Sequence, residues 1–208
     1  MIKALFLIFE PLVQWERVAQ ARRSLKFMLV SYLLPMLLIV AAVEGCGLVE
    51  WGKWQSTIGQ IKHFSVGEAL IYETGYLLLT FLVVAVCAHL VKSLGDTFHL
   101  RNSYQQAFTL VVYGLSPMFL FRLIDAVPEV NPWITWALGI MFSIKVLYYG
   151  VPRIMEPDPP HAFGLYLMSS VLLTMVTGLE RFITAWYLSG HCRPISDFIS
   201  NLASKLPL

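Results

Sequence analysis

The hydrophobic pattern divides the chain into five long apolar runs that contain few charged residues. The runs cover residues 27–43, 69–91, 104–121, 133–150 and 162–188. About 20 mostly apolar residues in a helix cross the hydrocarbon core of a bilayer. Glycine, proline and charged residues occupy the segments between the runs, as is typical of loops. We therefore predict an all-α integral membrane protein with five transmembrane helices.

The segment before the first run has a different pattern. After Pro11, apolar residues such as Leu12, Trp15 and Val18 recur at steps of three and four residues. This spacing predicts a short amphipathic helix at the membrane interface, with Trp15 at the headgroup level. Its candidate anchors are Trp15, Arg22 and Arg23. The alternative is a simple lead-in to the first span, whose long side chains extend to the interface.

This pattern divides the chain into three parts. Residues 1–26 form a cytoplasmic N-terminal segment, residues 27–188 a five-helix transmembrane domain, and residues 189–208 a short C-terminal tail. Lys and Arg are more frequent in the segments on the N-terminal side of the membrane, mainly because five of them precede the first span. Because cytoplasmic loops retain positive charge, we expect the N-terminus inside and the C-terminus outside.

Composition agrees with a membrane protein. Of the 208 residues, 57% are hydrophobic and 13% are charged, whereas a soluble domain carries about 25% charged residues. The five spans leave no room for a large soluble enzyme. The net charge of +2 is too small for a nucleic-acid-binding surface.

Charged residues near the predicted outer helix ends form a candidate site. Glu73 in the second span and Glu180 and Arg181 in the fifth lie at a similar depth, so we predict a pair between Glu73 and Arg181. With Glu44 and Arg122 at neighbouring helix ends, they would form a cluster that binds a partner or a polar solute. The alternative is that lipid headgroups merely solvate these charges.

The third span contains a second candidate site, at a predicted break in the helix. Tyr113, Ser116 and Pro117 lie in this stretch, and proline frees a backbone carbonyl that other groups must satisfy. Broken helices line substrate sites in transporters. The alternative is a bend without a ligand.

The sequence contains no recognised catalytic motif and no recognised metal-ligand spacing, so we expect neither an enzyme nor a cofactor. In the predicted topology Cys46 and Cys192 both face the outer side. If that compartment is oxidising, a disulfide would join the first loop to the C-terminal tail.

Four segments together resemble the Yip family, the Ypt-interacting proteins, which have five spans. These segments are residues 9–18, residues 106–117, Val127-Pro128, and residues 147–155 with the acidic, proline-containing loop that follows. The short N-terminal segment is similar to the bacterial branch. The resemblance implies a multi-pass protein of the bacterial inner membrane, with the N-terminus cytoplasmic and the C-terminus periplasmic.

The same resemblance says less about function. Eukaryotic members bind Rab-type GTPases through a long cytosolic arm. This chain largely lacks such an arm, so we do not expect a Rab-type GTPase as its partner. We expect a non-catalytic scaffold or accessory subunit that binds other integral membrane proteins or copies of itself in the lipid bilayer. The alternative is a small-solute or lipid transporter or channel subunit that uses the third helix and the outer charged cluster.

Overall fold

The computed structural model describes residues 2–57, 59–191, 197–201 and 204. Within them, five helices are long and apolar enough to cross a membrane, which confirms the predicted all-α, five-span fold. Each extends to or beyond the ends of its apolar run, because most of the more polar terminal turns are also helical. The spans are Leu25–Glu50, Val66–Thr97, Tyr104–Ala126, Pro132–Ile154 and Pro159–Leu188.

The bundle has two ends, which we name by what they carry. The hairpin end contains Glu50, Val66, Ala126, Pro132 and Leu188, together with a short β-hairpin between the first two spans. The basic end contains the other five span ends and the arginines that precede the first span.

Two helices precede the first span, α1 at Ile2–Phe9 and α2 at Pro11–Ala21. Pro11 suits the first turn of α2, where its missing N–H is not needed. Helix α1 packs against the third and fourth spans and α2 against the fourth. Leu7 and Trp15 are buried in the same core as the spans. The described part of residues 1–26 therefore shares its core with the bundle.

Trp15 fits this core because of a glycine on the fourth span. A Cβ atom at Gly150 would lie 2.5 Å from Cζ2 of Trp15, so only glycine allows this approach. The indole Nε1 donates a hydrogen bond to the carbonyl oxygen of Val146, at 2.9 Å. This bond satisfies the polar atom of a ring that is otherwise in apolar contact.

Two spans are irregular. The first combines α-helix at Leu25–Met28, π-helix at Leu29–Leu33 and α-helix at Leu34–Glu50. The third is α-helical at Tyr104–Gly114 and Ser116–Phe121 and ends in a 3₁₀ turn at Arg122–Ala126. Its interruption at Leu115 confirms the predicted break, and Pro117 lies in the first turn that follows.

The β-hairpin is the one pair of strands within the described residues. Strand β1 (Lys53–Gln55) pairs antiparallel with β2 (Gln60–Lys62), and Lys53 lies opposite Lys62. The chain enters β1 through Gly52, whose φ of 73° suits glycine. A three-residue strand has too little hydrophobic alternation to be predicted from its own sequence.

Candidate functional site

Seven charged side chains are buried at the hairpin end, where they form a cluster that we call the hairpin-end network. They come from the hairpin and from all five spans except the fourth, and their residues are only 1–7% exposed. Glycine at position 47 allows the first and third spans to approach closely, since a Cβ there would lie 2.7 Å from the carbonyl oxygen of Ala126. The members are Glu44, Lys53, Glu73, Arg122, Asp125, Glu180 and Arg181.

Glu44 and Arg122 form a bidentate ion pair. Arg122 Nε donates to Glu44 Oε2 at 2.7 Å and Arg122 Nη2 to Glu44 Oε1 at 3.2 Å. Arg122 Nη2 also donates to the hydroxyl of Tyr72 at 3.2 Å, and the guanidinium lies 3.4 Å from the centroid of the Tyr76 ring. These contacts satisfy a buried charge that would otherwise be costly, and they join the first three spans.

The second ion pair joins Arg181 to Asp125. Arg181 Nη2 donates to Asp125 and to Thr135 Oγ1, and its Nε donates to the carbonyl oxygen of Pro132 at 2.8 Å. Thr135 in turn donates to Asp125 Oδ1 at 2.6 Å. The predicted pair between Glu73 and Arg181 is therefore wrong. Asp125 lies at the end of the third span, close to the first turn of the fourth. In this position Asp125, and not Glu73, forms the ion pair with Arg181.

The two remaining glutamates differ in their contacts. Glu180 accepts a hydrogen bond from Thr80 Oγ1 at 2.7 Å. Both carboxyl oxygens of Glu73 are buried without a hydrogen-bond partner among the described residues. The alternative in which lipid headgroups solvate the cluster is wrong, because protein atoms cover all five charges that the sequence singled out.

Lys53 connects the hairpin to the network. Its Nζ donates to the carbonyl oxygens of Asp125, Val127 and Val130, at 2.7, 3.1 and 3.5 Å. Burial lowers the pKa of Lys53 below its ordinary value, and the carboxylates of Asp125 and Glu44 oppose that effect. The lysine thus fixes the hairpin to the connection between the third and fourth spans.

A cleft of about 600 Å³ lies at the hairpin end, beside the network. Its walls are the hairpin, the connection between the third and fourth spans together with the first turn of the fourth, and the end of the fifth span. Its lining is mainly apolar and includes three tryptophans that are 41–54% exposed, namely Trp54, Trp133 and Trp186.

At the break in the third span, the predicted site residues are packed into the core. Ser116 and Tyr32 share a hydrogen bond of 2.6 Å between their hydroxyls, and Ser116 also donates to the Val112 carbonyl. Pro117 is buried, and the ring of Tyr113 lies 4.4 Å from that of Tyr32, between centroids. The residues at the break therefore hold the first and third spans together.

The predicted interfacial anchors separate in the structure. Trp15 is 0% exposed, so the prediction that it is an anchor in contact with lipid is wrong: Gly150 leaves a space for its ring inside the bundle. Leu12, predicted on the same apolar face, is 46% exposed. Arg22 and Arg23 lie at the basic end, where both line a second large cavity.

Only one of the two cysteines of the predicted disulfide is among the described residues. Cys46 is exposed on the first span, whereas Cys192 lies outside the described residues. Among the described residues, no group of three or more His, Cys, Asp or Glu residues could hold a metal ion.

Sequence reasoning missed Asp125 and Lys53, the residues that organise the hairpin end. Both lie outside the predicted apolar runs, in the segments that the pattern predicts as polar connections. A signal was available: Asp125 follows Arg122 by three residues, so a continuing helical turn brings both toward the bundle.

Comparison with known proteins identifies a matching family. The family model described as the Yip1 domain matches residues 5–179. Searches of curated proteins and of solved structures found no match to the chain.

Proposed function

The chain belongs to the Yip1 domain family, and we propose that it acts in the membrane as a non-catalytic scaffold or accessory subunit. In this proposal, the aromatic cleft at the hairpin end receives an apolar segment of another integral membrane protein or of a second copy of the chain. The observation that carries the proposal is that polar contacts, most of them buried or partly buried, hold all three walls of the cleft in place.

A hydrogen bond or an ion pair holds each wall in place. Lys53 binds the hairpin to the carbonyls of the connection between the third and fourth spans. Thr57 Oγ1 binds the hairpin turn to the carbonyl oxygen of Ser189, at 2.9 Å, after the fifth span. Arg181 binds the fifth span to Asp125 and to Pro132. A binding surface held in this way loses little conformational freedom when a partner docks, which favours affinity.

The chemistry of the cleft favours a protein segment with aliphatic or aromatic side chains. Tryptophan is enriched among the residues that contribute most to protein–protein binding, because its large ring buries apolar area in a fixed shape. Trp54, Trp133 and Trp186 come from three different walls, so one docked segment would contact all of them.

The hairpin-end network has a supporting role in this proposal. Most of its charges are satisfied by one another or by backbone carbonyls, and its side chains are covered. They are therefore poorly placed to bind a partner or solute directly. Transport through the third span receives less support, because Ser116 and Pro117 are buried at the break.

Site-specific photo-crosslinking in native membranes tests the proposal. A photoreactive amino acid replaces Trp186 in the cleft, and in a matched control it replaces Trp51, which is 56% exposed at the same end but does not line the cleft. We expect one discrete protein adduct from position 186 and none from position 51. Identical adducts from both positions, or adducts with lipid alone, would contradict the proposal.

A further inference from the structure

A cavity of about 830 Å³ lies at the basic end, away from the proposed docking cleft. It lies between α2, the start of the third span and the end of the fourth. Its volume falls in the range of small-molecule and cofactor sites, about 300–1,000 Å³. Because its walls are formed by the ends of membrane-spanning helices, it opens near the level at which lipid headgroups begin.

The cavity is strongly basic. Four arginines line it, and Glu156 is the one acidic residue in its lining. Within the described part of the chain, no ion pair involves Arg17, Arg22 or Arg23. The fourth, Arg153, lies 3.9 Å from the exposed carboxylate of Glu16, a weak pair, and donates to the carbonyl oxygen of Tyr149.

The backbone holds two of these arginines at the cavity. Arg22 ends α2 in a left-handed conformation with φ 37°, which turns the chain toward the first span. The carbonyl oxygen of Arg23 accepts a hydrogen bond from Gln105 Nε2 at 2.8 Å, and its guanidinium stacks 4.3 Å from the ring centroid of Phe27. The backbone of Arg23 is thus fixed relative to the third span.

Two largely buried polar residues line the cavity, and no side-chain hydrogen bond joins either of them to another described residue. Gln14 is 8% exposed and Tyr113 is 2% exposed, and both line the cavity. The Gln14 amide and the Tyr113 hydroxyl are therefore available to hydrogen-bond a ligand in the cavity. The rest of the wall includes the apolar residues Phe6, Val18 and Met28.

We propose that this cavity binds the phosphate headgroup of an anionic phospholipid. Arg17, Arg22 and Arg23 contact the phosphate, whose oxygens match the forked donors of guanidinium. Gln14 and Tyr113 donate hydrogen bonds to the headgroup, and the first carbons of an acyl chain lie against Val18 and Met28. A free phosphate would use the arginines but would leave the apolar wall uncovered.

The test titrates purified, delipidated protein with three probes. The probes are short-chain phosphatidylglycerol, phosphatidylcholine of the same chain length, and inorganic phosphate. We expect phosphatidylglycerol to bind much more tightly than either of the others, because only it combines net negative charge with acyl carbons. Equal binding of inorganic phosphate would overturn the assignment to a lipid, and equal binding of phosphatidylcholine would overturn the role of the arginines.

Matched variants locate the binding site. Arg22→Gln and Arg23→Gln should each weaken phosphatidylglycerol binding about fivefold. The control Arg101→Gln removes an exposed arginine at the same end that does not line the cavity, and it should leave binding unchanged. An equal loss in Arg101→Gln would show diffuse attraction to charge and overturn the proposal.

Gln14→Leu changes no charge and tests the cavity itself. It should weaken phosphatidylglycerol binding and leave the melting temperature of the lipid-free protein unchanged, whereas unaltered binding would overturn the proposal.

If either arginine variant melts early, Arg22→Lys replaces it. This change keeps the positive charge but removes the paired donors of the guanidinium group, so an intermediate loss of binding is expected. This proposal is independent of the docking cleft, because a Trp186→Ala variant should bind the lipid normally.

Discussion

At the scale of single residues, neighbouring glutamates in the hairpin-end network have different roles. Glu44 pairs with Arg122 through two hydrogen bonds, while the carboxyl group of Glu73 has no partner among the described residues. Removing one member of a buried pair leaves an unpaired charge, which costs about 3–5 kcal/mol. Removing a carboxyl group that has no partner has no such cost.

We therefore predict opposite effects for two isosteric changes. Glu44→Gln should lower the free energy of unfolding by about 3 kcal/mol, because Arg122 loses its counter-charge. Glu73→Gln should leave stability unchanged or raise it. Thermal unfolding in detergent measures both. Equal destabilisation by the two variants would contradict the different roles assigned to these glutamates.

Lys53 allows a second test at this scale. Lys53→Met should loosen the hairpin, because three carbonyl oxygens lose their donor, at a cost of about 1–3 kcal/mol. Lys62→Met is the matched control: Lys62 lies directly opposite in the hairpin, but its nearest carboxylate is 3.7 Å away and its side chain is partly exposed.

Hydrogen exchange of the hairpin amides distinguishes the two lysines. Exchange should become faster in Lys53→Met and stay nearly unchanged in Lys62→Met. The same rate in both variants would mean that the strand pairing alone, rather than the buried ammonium, holds the hairpin.

At the scale of elements, α2 is fixed to the bundle by the contact between Trp15 and Gly150. Gly150→Ala should destabilise the protein by about 1–3 kcal/mol, because the new methyl group would overlap the indole ring. Gly75→Ala is the control, since nothing lies within 4 Å of its added Cβ. Alanine is the better helix former, so this control should be neutral or slightly stabilising.

Thermal unfolding of the two glycine variants checks this prediction. If Gly150→Ala melts with or above the wild type, Trp15 has room to move, and α2 is less tightly fixed than the structure indicates.

The elements also show what sequence could predict. Five spans and the break in the third follow from apolar run length and from Pro117, which are local properties. The position of Trp15 does not, because the spacing of apolar residues gives a face of a helix but not what covers that face. Gly150 lies 135 residues away in the sequence and decides that Trp15 enters the core.

The pairing of charges was likewise beyond local reasoning. Equal depth in the membrane suggested Glu73 as the ion-pair partner of Arg181. The prediction that charged residues from several spans lie together at one end of the bundle agrees with the structure. The choice of partner depends on how the spans are rotated and on the connection that carries Asp125. Neither can be obtained from the apolar pattern of a single helix.

At the scale of the whole molecule, the two ends have different proposed roles. The hairpin end presents an aromatic cleft for a protein partner, and the basic end encloses a cavity for a phospholipid headgroup. Because the two sites lie at opposite ends, variants in one should leave the other intact. The central claim is that the cleft docks another membrane protein or a second copy of this chain.

The most direct test is the mass and composition of the complex extracted from native membranes in a mild detergent through an affinity tag. The wild type and Trp51→Ala should elute with a second membrane protein, or a second copy, at a fixed ratio that survives a salt wash. The double variant Trp54→Ala/Trp186→Ala should elute alone with an unchanged melting temperature. A wild type that elutes as a monomer, or a double variant that keeps its partner, would contradict the account.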